Sequence, residues 1–388
     1  MAQMSNGGSP PDRLAFCTFG MFIIDRIEYL NNAQAPQERI IGGAGTYAAL
    51  GARLAAGRRH AAHVSWIVDM GADFPAEFRG LIEAWRTSCV FRLDGGRMTT
   101  TAWNGYGPNE LRAFKYLTPK RRLDETSLSD EQVLARAFHM VCSPARCMAL
   151  VRGVLERRVR LLPGRGPATH AEEEDRPIFV WEPIPDLCTP EELARLREAA
   201  ACVDVVSPNA DEFESFFHEM PGFSSRERMV ENLLGLDGRD GGRQKKPLRT
   251  ALVVREGAHG CTTYVGRTRG FHLPAYHQSK EKVVDPTGGG NTFLGALAMG
   301  MAGTTTPDEA VLQELRLPGE SALREKGLLL GLLHATVAAG YAIEQTGMPT
   351  VSAEDGDCWN GEAYPERFRK YIRRERAHIA VQLSGSCG

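Results

Sequence analysis

The chain lacks any apolar run of membrane-spanning length. Its longest, Leu328 to Ile343, is interrupted by His334 and Thr336 and falls short of the ~20 residues a bilayer requires, so it reads as a buried helix. Met1 to Arg13 has no apolar core of signal-peptide length; it is polar, rich in Ser, Gly and Pro, and reads as a disordered N-terminus. An excess of either charge is missing too. The 46 Lys and Arg against 48 Asp and Glu leave a formal net charge of −2, which gives no footprint for nucleic acid or an anionic membrane and favours a small-molecule partner. The 9 cysteines include no C-x-x-C pair, which argues against a zinc site or a disulfide framework and for reduced thiols in the cytoplasm. Neither a G-x-x-x-x-G-K-[ST] loop nor a protein-kinase motif set is present, which excludes those two ways of holding a nucleotide.

What is present is an alternation of short apolar runs with helical patterns, the signature of a mostly parallel sheet flanked by helices. Strands are expected at Leu14–Thr18, His63–Val68, Met140–Cys142, Ile178–Trp181, Val203–Val206 and Ala251–Val254. Helices are expected at Thr46–Ala56, Ala76–Thr87, Ala145–Glu156, Pro190–Ala200, Ala210–Phe217, Thr292–Met301 and Gly327–Gln345. The α/β chain of 388 residues is read as one elaborated domain, 14–350, with flexible inserts at 163–176, 222–249 and 303–326. A C-terminal extension, 351–388, carries an amphipathic basic helix around Arg367–Arg376, whose apolar face is expected to dock on the domain. His334, alone on an apolar helix, reads as a hydrogen-bonded core residue.

The chemistry concentrates in Val283-Val284-Asp285-Pro286-Thr287-Gly288-Gly289-Gly290-Asn291-Thr292-Phe293-Leu294-Gly295-Ala296. A strand end, a glycine-rich turn and a helix start make an anion site, because glycines let successive N–H groups converge near the positive end of the helix. The run resembles the second signature of the PfkB, or ribokinase-like, family of carbohydrate and nucleoside kinases, approximately D-T-T-G-A-G-D-x-F-x-G-A. The Gly-Gly-Gly-Asn form is similar to that of a fungal branch of the family related to killer-virus maintenance proteins.

That resemblance runs from about Phe16 to Pro349, with the motifs in the family's order. It implies a small β-sheet lid from about Gly20–Ile41 and Val90–Leu117, ATP and Mg²⁺ as cofactors, a monovalent cation such as K⁺, and a sugar or nucleoside as partner. A homodimer through the lid is left open. Gly20 to Asp25 resembles the strand whose terminal Asp binds sugar hydroxyls. Gly42-Gly43-Ala44-Gly45-Thr46-Tyr47-Ala48-Ala49 resembles G-G-x-x-x-N-x-A, with Tyr47 in place of the amide. Asn209 and Glu212 match N-x-x-E, near the phosphates and the water shell of Mg²⁺; the same run also reads as a helix N-terminus with acids in its first turn, favoured by the dipole, and the two readings are compatible. Arg255, Gly257 and Gly260 match the nucleotide loop, Arg255 replacing a small hydroxyl residue. Asp285 falls at the cation-ligand position, Gly288, Gly289 and Gly290 at the anion hole, and Thr336 on the helix lining the adenine pocket.

Asn291 stands where the family has its catalytic base. A neutral amide cannot take a proton from a hydroxyl at pH 7, and a positioned base is worth ~10²–10⁴-fold in rate. Two readings follow: a weak ATP-dependent carbohydrate kinase in which Asn291 only orients the acceptor, or a pseudokinase that binds nucleotide or sugar as a scaffold. A dinucleotide reading of Gly43 to Ala48 with Asp69 rests on a pattern of small residues that arises easily by chance.

Overall fold

The computed structural model describes residues 13–30, 35–107, 112–162, 176–236, 249–266, 270–314 and 327–384. The N-terminus 1–12, nearly all of the first expected insert (163–175) and parts of the other two (237–248 and 315–326) lie outside them. Among the described residues, no helix is long and apolar enough to cross a membrane.

Short β-branched and aromatic runs form the central sheet. Its strands are β1 (Phe16–Thr18), β8 (Ala137–Cys142), β9 (Ile178–Pro183), β10 (Val205–Val206), β11 (Ala251–Arg255), β12 (Cys261–Val265) and β13 (Phe271–Leu273), in that spatial order. The first five run parallel and β12 and β13 antiparallel. β4 (Ser65–Met70) pairs in parallel with β5 (Ser88–Leu93), and a bridge from Val64 to Phe16 joins that pair to β1.

Side chains alternate across the sheet, so each face has its own core. Ala251 and Val253 pack with the helices Ala44–His60, Gly289–Met301 and Leu328–Ala342. Leu252 and Val254 pack with Pro144–Leu161, Leu193–Ala200 and Arg226–Leu233. That last helix corrects the expectation of a flexible insert from 222, since Val230 and Leu233 are buried.

A second sheet stands apart, with β2 (Ile23–Tyr29), β3 (Gln37–Gly42), β6 (Thr101–Tyr106) and β7 (Arg112–Tyr116) in the order β3-β2-β6-β7. It is the small lid sheet, with one correction: residues 90–93 belong to β5 in the main body, because Val90 pairs with Ile67.

The C-terminal helix Tyr364–Ser384 docks as its apolar stripe implies, burying Tyr364, Phe368, Tyr371, Ile372 and Ile379. Its basic face is partly spent on the body, since Arg374 donates to the carbonyls of Tyr276 and Ala275 at 2.9 and 3.0 Å. His334 sits beneath it, with Nδ1 2.9 Å from Tyr364 Oη and Nε2 3.0 Å from Pro307 O.

Two helices fix the glycine turn by backbone-to-backbone packing. A Cβ at Gly51 would overlap the carbonyl oxygen of Thr292, and one at Gly295 that of Ala48. Gly295→Ala is therefore expected to destabilise the fold by ~1–3 kcal/mol through overpacking. Gly80→Ala, on a helix with no atom near the added methyl, should instead stabilise by ~0.5–1 kcal/mol. Urea unfolding of the two variants against the parent checks the contrast.

Candidate active site

The parallel strands β1, β9, β10 and β11 deliver Thr18, Glu182, Ser207 and Arg255 at or just beyond their carboxyl ends, where open α/β sheets bind ligands. The glycine turn enters the same place. Asp285 Oδ1 accepts the Thr287 N–H at 2.9 Å, Gly288 takes a left-handed φ of 78°, and the helix Gly289–Met301 starts with no side chain capping it. Its first intrahelical bond runs from Thr292 N–H to Gly288 O at 2.9 Å, so the N–H groups of Gly290 and Asn291 have no partner within the helix.

On one side lie the residues expected to meet a sugar. Asp25 of β2 is buried, and its carboxylate fills the space that a side chain at Gly42 would occupy. Gly43 is equally constrained, with φ of 93° and a backbone pressed against Met21 O. Burial pushes the Asp25 carboxyl up to about 7, opposed by Asn104 and reinforced by Asp285. The Tyr47 ring packs flat against Gly288, and burial next to Asp25 and Asp285 pushes its phenol upward. Tyr106 of β6 reaches down from the lid to Thr287 Oγ1 and, at 3.4 Å, to Asp285 Oδ1.

On the other side is an ion cluster. Arg255 Nη2 pairs with Glu182 Oε1, donates to Ser207 O at 3.1 Å and lies 3.6 Å from Glu212 Oε2. Its Nη1 faces Gly290 so closely that a Cβ there would overlap it. Asn209 and Glu212 form a reciprocal cap: Asn209 Oδ1 accepts the Glu212 N–H and Glu212 Oε2 the Asn209 N–H, both at 2.8 Å. Burial raises the Glu212 carboxyl to about 7, with Arg255 pulling it back. Gly260, with φ of 98°, lets the loop pass beneath Leu273 O, while Gly257 faces open space.

Asn291 joins the two sides. Behind it lies His139, fully buried on β8, whose Nδ1 is 2.9 Å from Thr18 Oγ1. The Thr18 oxygen already accepts the Gly20 N–H at 2.9 Å, so we assign the Thr18 proton to His139 Nδ1 and the imidazole proton to Nε2. That N–H faces the Asn291 carboxamide. Burial lowers the imidazole to about 3, then Arg255 lowers it further, and Asn291 partly offsets both. Among the described residues, His139 Nε2 and Asn291 Oδ1 are buried with no hydrogen-bond partner.

Thr336 is buried on the helix Leu328–Ala342, donates to Leu332 O at 2.9 Å and faces Cys261, beside Gly260, and Tyr371 of the C-terminal helix. Asp69 is taken by Arg92 at 2.7 and 2.8 Å, and the strand before Gly43 belongs to the lid, so the dinucleotide pattern has no βαβ context. Sequence reasoning missed Glu182, His139 and Tyr106. Glu182 had a usable signal as a carboxylate at the end of a buried strand; His139 and Tyr106 had none beyond their neighbours.

Known proteins resemble this chain in sequence and in fold. The sequence profile described as pfkB family carbohydrate kinase matches residues 182–313. Protein MAK32 of Saccharomyces cerevisiae is 33% identical over 386 residues, covering 95% of each chain. Ribokinase from Giardia lamblia superposes with a TM-score of 0.62 at 14% identity, covering 93% of this chain and 99% of its own. An Escherichia coli protein described as a ribokinase II, in complex with ATP and Mg²⁺, does so at 0.57 and 16%, covering 93% and 99%. The fold is ribokinase-like.

The raised Asp25 carboxyl carries a pH signature. Protonated Asp25 contributes stability that is fully present below the ordinary value of 3.8 and is lost as pH rises through about 7. Asp25→Asn removes that loss, so its melting temperature relative to the parent should rise from little change at pH 4 to a plateau above pH 8, with a ceiling of ~4 kcal/mol. Thermal melts of both proteins across that range check it.

Proposed function

The chain belongs to the PfkB carbohydrate kinase family, and from that premise we propose that it binds the phosphates of ATP or ADP on the Gly288–Gly290 turn and transfers a phosphoryl group to a hydroxyl of a sugar or nucleoside. The observation that carries the proposal is the uncapped helix start, with Asn291 in its first turn, whose Gly288 packs on the Tyr47 ring beside Asp25. Phosphoryl transfer depends mostly on positioning and electrostatic stabilisation, so an intact anion turn supports turnover without a base. Asp25 and the backbone at Gly42 and Gly43 hold the acceptor; the Asn291 NH₂ orients an oxygen but removes no proton. Transfer is accordingly slow.

A divalent cation does not fit the side chains as they stand. Glu212 Oε2 is taken by the Asn209 N–H and Arg255, Glu182 Oε1 by Arg255, and Asp285 Oδ1 by the turn and Tyr106. Among the described residues no group of three or more His, Cys, Asp or Glu is placed to hold a metal. We assign no step to Mg²⁺ or K⁺.

A second reading, a binding scaffold without turnover, is favoured by the contact of the Tyr47 ring with Gly288, which narrows the space between acceptor and phosphate. One experiment separates the two. A thermal-shift screen should find ATP or ADP stabilising the protein by ~2.7 kcal/mol at a hundred times Kd. ADP release on any sugar or nucleoside hit should then rise by ~10²-fold in Asn291→Asp, the low end for a positioned base. Nucleotide binding with no turnover in the parent, in Asn291→Asp or in its pairing with Tyr47→Asn selects the scaffold.

A further inference from the structure

The ion cluster has two ends, and only one is satisfied. Arg255 is held at Nη2 by Glu182 and Ser207 and lies between Glu182 and Glu212, whose side chains are 10% and 8% exposed. Its Nη1 makes no bond to those carboxylates and lies over Gly290. Nε is buried without a partner, and so is Oε2 of Glu182. A guanidinium carries five N–H donors in a rigid plane and keeps its charge at any working pH, so an edge turned to a phosphate site is a fixed cationic donor set. Two carboxylates this close to one another also need a counter-charge, because a buried charge without a partner is costly. In this chain the counter-charge is covalently part of β11.

We propose that Arg255 is the resident cation of the phosphate site, standing where a hydrated divalent ion would otherwise bridge carboxylate and phosphate, so that the chain takes up a nucleoside di- or triphosphate without Mg²⁺. The inference rests on the nucleotide reading above and adds which cation serves it. Glu182 and Glu212 hold the Nη2 edge and set the plane of the fork. Nη1 then meets a phosphoryl oxygen beside the N–H groups of Gly290 and Asn291, a charge-assisted bond of the stronger kind. Glu182 Oε1 and Glu212 Oε2 already face the guanidinium, so Arg255 supplies the positive charge that a nucleotide's own ion would otherwise bring to this cluster.

The test is calorimetric titration of the full chain with ADP, once in EDTA and once in excess Mg²⁺, on the parent and on Arg255→Thr. The parent should bind in EDTA within about threefold of its affinity in Mg²⁺, and Arg255→Thr should lose about tenfold or more in EDTA and regain it with Mg²⁺. Arg255→Lys, which keeps the charge and loses the fork, should fall between them. If the parent loses tenfold or more in EDTA, the proposal is wrong whatever the variants do, and this arm needs no altered protein to fold. Equal metal dependence in all three also overturns it. Absence of ADP binding by the parent in both buffers at about 1 mM rejects the nucleotide reading and this inference with it, a result distinct from metal-dependent binding.

Discussion

Backbone has to meet backbone at Gly51 and Gly295 for the glycine turn to lie where it does. The helices Ala44–His60 and Gly289–Met301 approach so closely that neither position has room for a methyl, and Gly300 and Gly331 repeat the arrangement toward Leu328–Ala342. Close packing of this kind is stiff, because interiors near crystal density relax little. The stiffness serves the site: the helix start at Gly288 is fixed relative to Gly42, Gly43 and Tyr47, which precede or open the partner helix. One packing constraint therefore positions both the phosphate turn and the floor beneath Asp25.

On that frame the electrostatics divide cleanly. The lid side collects Asp25 and Tyr47, whose burial favours neutral forms that suit hydroxyls, with Asp285 and Tyr106 beside them. The body side collects Glu182, Glu212 and Arg255 around Gly290. Asn291 lies in the first turn of the helix, with the neutral His139 beside it. A carboxylate at 291 would face the same imidazole, so restoring the base alters a proton position two residues deep. For that reason the chemistry of Asn291 cannot be separated from Thr18 and His139.

Much of this was legible in the residues. The parallel strands, the helices on both faces and the glycine turn follow from period and composition, and so does the helix start after Asn209, with Asp211 and Glu212 in its first turn. Three things were not legible. β5 reads like a lid strand because half-exposed strands carry the same residue types in either sheet; only its pairing with β4 decides. Thr336 lies on a helix buried all round, where sequence gives no face, and the C-terminal helix determines what it meets. Arg255 matched a loop motif, but its partner Glu182 is 73 residues away, and its turn toward Gly290 is a consequence of that pair.

The central claim is that phosphate oxygens sit on the Gly288–Gly290 turn with Arg255 as their cation. A crystal structure of the full chain grown with ADP in EDTA tests it most directly. The account predicts a terminal phosphate within ~3 Å of the Gly290 or Asn291 N–H and of Arg255 Nη1, with the guanidinium still on Glu182. ADP phosphates bound elsewhere, or bound at the turn with Arg255 swung out and a metal in its place, would contradict it.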